Sequence, residues 1–181
     1  MFVGQTAKND RLPHCSVLGV RWNRPAMMLR ILPLLFTAVL AASAQKYNGP
    51  VPPKPDLPYL KHAENLVATE ATEAKEEKKK DEILYVVAGA SSPVKTPLAS
   101  PIFLLQADKL VPDRLGLYKL ETKSGHREVS ASPKKPLKGI RTVVTHLTGN
   151  LYRIEVDESL EPGEYALSPE GPNQVFCFQV F

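Results

Sequence analysis

From Ile83 to Phe181, apolar residues come in short runs separated by turn residues. Ile83-Leu84-Tyr85-Val86-Val87-Ala88 stops at Gly89. Ile102-Phe103-Leu104-Leu105 is apolar on both faces, the pattern of a central strand. Residues 115–122 and 126–130 flank Lys123-Ser124-Gly125, and residues 140–147 and 151–156 flank Thr148-Gly149-Asn150. Both arrangements predict hairpins. In the last of these runs Tyr152, Ile154 and Val156 alternate with Arg153 and Glu155, which gives a strand with one buried and one wet face. Many short strands without an intervening amphipathic helix predict an all-β sandwich or barrel over residues 83–181.

The chain upstream of this domain has a different texture. Residues 45–58 include Gly49-Pro50-Val51-Pro52-Pro53-Lys54-Pro55-Asp56-Leu57-Pro58. Proline fixes φ and removes a donor, so this piece reads as a stiff polyproline spacer. Residues 59–82 are rich in Ala, Glu and Lys, all strong helix formers. They predict a polar, solvated helix, frayed or disordered toward Lys80. At the front of this segment Tyr59, Leu60, Leu66 and Val67 are candidate partner contacts.

Further upstream, Arg30 precedes the apolar run from Ile31 to Ala41, and Ala42-Ser43-Ala44 follows it. A basic residue, a short apolar run and an A-x-A tripeptide make a secretory signal peptide, assigned to residues 27–44. The run is shorter than the ~20 residues a membrane-spanning helix needs. Met27-Met28 offers an internal start, which leaves residues 1–26 as an extended presequence. The expected product is exported, periplasmic or secreted, with no transmembrane segment in the mature chain.

Cleavage after Ala44 changes the charge. Of 23 basic and 19 acidic residues, five basic and one acidic lie in residues 1–44, so 18 of each remain. The basic balance therefore leaves with the presequence, and no nucleic-acid partner is expected. Cys15 leaves too. Cys177, within the apolar run 174–181, is expected to be a buried, inert thiol.

The segment Leu160-Glu161-Pro162-Gly163-Glu164-Tyr165 has the most specific local pattern. Pro162-Gly163 suits the middle of a type II turn, and Tyr165 opens the next strand. The segment resembles the tyrosine corner of immunoglobulin-like and fibronectin type III sandwiches, with Leu160, Pro162, Gly163 and Tyr165 as its structural residues. The resemblance implies that the Tyr165 hydroxyl bonds to backbone upstream, and that Tyr165 begins strand F. It also implies that residues 168–173 form the F–G loop and residues 174–181 strand G. The antibody-type core is missing, because Cys177 has no partner and Trp22 lies in the presequence. The whole chain resembles small exported bacterial proteins.

Candidate chemistry is sparse. His62, His126 and His146 lack the close spacing of a zinc site. Residues 157–161 lack the ligand spacing of a calcium loop. No serine sits in a nucleophile elbow, and no glycine-rich loop is placed to cradle phosphate. No catalytic, cofactor or metal residue is assigned. The expected architecture is one immunoglobulin-like β-sandwich behind a proline-rich spacer and a polar helix. The expected role is a non-enzymatic binding or structural module of the cell envelope, with an envelope protein or glycan as partner. The alternatives are a small extracytoplasmic hydrolase on wall polymer or glycan, and an accessory subunit docking through residues 59–82.

Overall fold

The computed structural model describes residues 47–79, 82–134 and 136–181. Residues 1–44, expected to be a presequence and a signal peptide, lie outside the described residues. The described chain is mainly β, with twelve strands and one 3-10 turn at Pro112–Arg114. Among the described residues no helix is long and apolar enough to cross a membrane.

Five strands form the first sheet: β1 (Tyr59–His62), β2 (Asn65–Ala68), β6 (Ile102–Gln106), β9 (Thr142–Thr148) and β10 (Leu151–Val156). Their order is β2-β1-β6-β10-β9, antiparallel throughout. The second sheet holds β3 (Glu70–Lys79), β4 (Glu82–Ala88), β5 (Lys95–Thr96), β7 (Leu115–Lys123), β8 (His126–Ala131), β11 (Gly163–Pro169) and β12 (Gln174–Val180). Its order is β11-β7-β8-β4-β3-β12-β5, and β11 also pairs with β12. That extra pairing closes β3, β4, β8, β7, β11 and β12 into a six-stranded barrel. The short β5 runs parallel to β12.

Two interiors result. The sandwich core lies between the first sheet and one wall of the barrel and is built from large side chains. They include Leu60, Phe103, Leu105, Leu117, Ile154, Leu167, Phe176 and Phe178, all fully buried. The barrel interior holds Ala74, Val87, Leu120, Ala166, Val175 and Cys177. Strands β7, β11 and β12 face both, so alternate residues serve alternate cores. On β12, Phe176, Phe178 and Val180 enter the sandwich while Val175 and Cys177 enter the barrel. This accounts for a strand that is apolar on both faces.

The polar helix expected over residues 59–82 is replaced by β1, β2 and β3. Helix propensity separates ordinary residues by at most ~0.7 kcal/mol each. Strand pairing along all ten residues outweighs it: Glu70–Glu73 pair with β12 and Ala74–Lys79 pair with β4. The alternation is also there at period two. Glu70, Thr72, Ala74 and Glu76 fall on one face, and Ala74 is buried opposite Val87. The residues before β1 are tied down as well. The Asp56 carboxylate accepts the backbone N–H groups of Asp108, Lys109 and Leu110 at 2.9 Å each, and Leu57 packs on the sandwich core.

Candidate ligand cup in the barrel

One end of the barrel is sealed by charge. Arg127 points inward from β8 and is fully buried. Its Nη1 and Nη2 donate to the two Glu70 carboxylate oxygens at 2.7 and 3.0 Å. Nε donates to the Gly89 carbonyl at 3.0 Å, and Nη2 donates to the Ala88 carbonyl at 2.8 Å. The planar guanidinium is thus held by a two-pronged carboxylate bond and two main-chain oxygens. Glu164 lies 3.8 Å from Nη1 and accepts the Ser92 N–H at 3.0 Å and the Ser91 hydroxyl at 2.8 Å. Burial pushes the Glu70 carboxyl up, but the Arg127 and Ser92 hydrogen bonds outweigh it and hold it below the ordinary carboxylate value. Cys177 sits in the same region. Burial pushes its thiol up to about 12, partly opposed by the Arg127 charge, so it is no nucleophile at neutral pH.

The opposite end is open. Above the apolar floor the barrel holds a cavity of about 510 Å³. Val87, Leu120, Ala166 and Val175 line its base, and Tyr85, Tyr118 and Val129 its walls. The space exists because the inward positions are small. Ala74 and Ala166 carry one methyl each, and Gly116 carries none. A Cβ on Gly116 would come within 2.6 Å of the Tyr118 hydroxyl, so glycine lets that ring lie across the strand. The hairpin also splays. β7 and β8 are paired only from Glu121–Glu128 to Lys123–His126, and they separate toward the mouth. Polar groups gather at the rim: Glu76, Asp113, Arg114, Glu170 and Asn173. Arg114 and Glu170 approach to 3.7 Å as an exposed pair.

This shape suits reversible binding of a small molecule, since an apolar base with a few polar rim groups is the usual anatomy of such sites. A second, wider groove of about 860 Å³ lies outside the barrel beside residues 136–140. Five of its charged groups are paired: Lys119 bonds Glu161 at 2.7 Å, and Lys123 bonds Glu121 and Glu128 at 2.8 and 2.9 Å, while Lys134, Lys138 and Glu158 also line it.

The sequence-derived candidates are scattered. Leu160 and Tyr165 are buried in the sandwich core. The Tyr165 hydroxyl donates to the Glu161 carbonyl at 2.7 Å, and its ring stacks on Phe178 at 5.6 Å. Pro162 is exposed. Gly163, expected in the left-handed position of a type II turn, has φ 159° and already begins β11. Tyr59 and Leu60 are buried within the domain, Leu66 is half-buried, and Val67 is exposed on β2. His62 bonds Thr96 at 3.0 Å, His126 bonds Glu128 at 2.9 Å, and His146 bonds the Gly149 carbonyl at 2.8 Å. Among the described residues no group of three His, Cys, Asp or Glu converges as a metal site.

Sequence reasoning missed Arg127, Glu70 and Glu164 and every residue of the cup. One signal was available. Arg127 and Val129 alternate with Glu128 in a predicted strand, which places a charge on an apolar face. The chain matches no family model, no curated protein and no solved structure.

Proposed function

We propose that this is an exported, non-enzymatic binding module of the cell envelope, and that its ligand site is the open end of the barrel. The observation that carries this is the 510 Å³ cavity with an apolar base, two tyrosine walls and a polar rim. A small amphipathic molecule fits that chemistry, with its apolar end on Val87, Leu120 and Val175 and its polar end at Glu76, Asp113 and Asn173. Export rests on the A-x-A tripeptide after a short apolar run.

We also assign the domain to the immunoglobulin-like sandwiches. The order β1-β6-β10-β9 corresponds to strands A, B, E and D, and β12-β11-β7-β8 to G, F, C and C′. The Tyr165 hydroxyl bond to Glu161 at the E–F connection supports the same assignment. On this reading β2, β3 and β4 are an insertion between strands A and B. The β3–β4 pair closes strand C′ back onto strand G, so the insertion creates the cup.

The test uses titration of the purified chain with N-phenylnaphthylamine, a neutral apolar fluorophore, in competition with short-chain amphiphiles. Saturable one-to-one binding is expected, and Ala74→Leu, which fills the lumen, should abolish it while leaving the thermal midpoint near the parent value. Absence of saturable binding, or equal binding by a folded Ala74→Leu variant, rejects the cup as the ligand site.

A further inference from the structure

The first sheet ends in two edges that differ in how they are protected. The β2 edge is four residues long. The β9 edge is seven residues long, Thr142-Val143-Val144-Thr145-His146-Leu147-Thr148, and it pairs only with β10 among the described residues. Natural sheets blunt a long edge with charge or proline. β9 carries no Asp, Glu, Lys, Arg or proline, and Val143 is 45% exposed.

Its backbone is set to accept another strand. Asp157 N–H donates to the Arg141 carbonyl at 3.1 Å, and Thr142 lies opposite Val156. This fixes the alternation: Arg141, Val143 and Thr145 address β10, while Thr142, Val144 and His146 turn their N–H and C=O groups outward.

We infer that β9 pairs antiparallel with β9 of a second copy of this chain, across a two-fold axis at Thr145. The sequence is close to symmetric about that residue. Thr145 meets Thr145 of the second copy, Val144 meets His146, Val143 meets Leu147, and Thr142 meets Thr148. Like or compatible side chains are opposed at each step, and no like charges face each other on the strand. Such self-complementarity is what a two-fold interface requires. Pairing gives the outward backbone groups of Val144 and His146 partners in each other, and Leu147, which the β10 register skips, gains Val143 as a neighbour. The sheet then runs without a break through ten strands, five from each copy. The cup belongs to the other sheet, so this inference stands independently of ligand binding.

Sedimentation of the purified chain over a concentration series is expected to show a reversible doubling of mass. Thr145→Lys places two ammonium groups across the axis and should remain monomeric. Thr145→Cys should give a disulfide-linked dimer on mild oxidation, since Cα atoms directly opposite in antiparallel strands lie ~4.5–5.5 Å apart, within disulfide reach. Val67→Cys, on the β2 edge, should not. Native Cys177 is fully buried and does not compete, and Cys15 is replaced by serine wherever residues 1–44 are retained. A wild-type chain that stays monomeric at every concentration overturns the inference. So does a dimer in which Thr145→Cys forms no cross-link, or one that Thr145→Lys leaves intact.

Discussion

The sandwich core and the barrel lumen share the strands β7, β11 and β12 yet fill their space in opposite ways. The sandwich side is closed with Phe103, Phe176, Phe178 and Tyr165, and Phe178 meets Phe103 edge-on at 5.1 Å. The barrel side is built from alanine and valine, a buried arginine and empty volume. Close packing is what holds a domain together, and unfilled volume forgoes that contribution. Close packing therefore lies on one face of these strands, and the proposed binding site on the other.

Leu117 and Leu120 test this division on one strand. Leu117 is fully buried in the sandwich, and Leu120 lines the cup. Leu117→Ala leaves a closed void and is expected to cost about 4–5 kcal/mol, near the top of the range for such changes. Leu120→Ala enlarges a space that is already open and should cost about 2–3 kcal/mol, while weakening binding of the fluorophore. Urea midpoints at constant slope measure both. Equal costs would mean that the lumen is packed in solution and the contrast is lost.

The sealed end of the barrel comes next. Arg127→Met removes the cation and leaves the Glu70 and Glu164 carboxylates without it. Breaking a buried pair from one side costs about 3–5 kcal/mol. Glu70 also gives the fold a pH dependence. Its carboxyl titrates lower in the folded chain than in the unfolded one, so folding is favoured by its ionisation. That contribution is complete above the unfolded value, near 4.3, and fades as pH falls through the lower folded value. Glu70→Gln should flatten stability against pH in that acid window and leave the slope above pH 6 unchanged. A wild-type curve already flat below pH 5 would show that the plug contributes nothing through Glu70.

How much of this was readable beforehand differs between the same two regions. The sandwich strands were legible because their hydrophobic pattern is strong: residues 102–105 announce a strand apolar on both faces, residues 174–181 an apolar strand, and the two hairpin predictions match β7–β8 and β9–β10. The barrel was not legible. β3 carries helix-forming residues, and its strand character comes from pairing, with the adjoining β4 along Ala74–Lys79 and with β12, distant in sequence, along Glu70–Glu73. Without β3 the barrel cannot be closed on paper, Glu70 has no place beside Arg127, and Ala74 has no lumen to face. Small residues also give no positive signal, so a cavity made by Ala74, Gly116 and Ala166 is silent in the sequence.

The smallest expected effect comes from Tyr165, where the two regions meet. Its ring belongs to the sandwich, while the next residue, Ala166, faces the barrel. Tyr165→Phe keeps the stack on Phe178 and removes only the hydroxyl that donates to the Glu161 carbonyl. One neutral hydrogen bond of this kind contributes ~0.5–1.5 kcal/mol. A loss in that range, with fluorophore binding unchanged, means that the bond fastens the connection into β11 and that the ring's packing sets the strand's position. A larger loss accompanied by weaker binding would mean that the hydroxyl sets the register of β11 and, through Ala166 and Ser168, the shape of the cup. In that case packing and binding would not be separable along this strand, and the division between the two cores would fail where they touch.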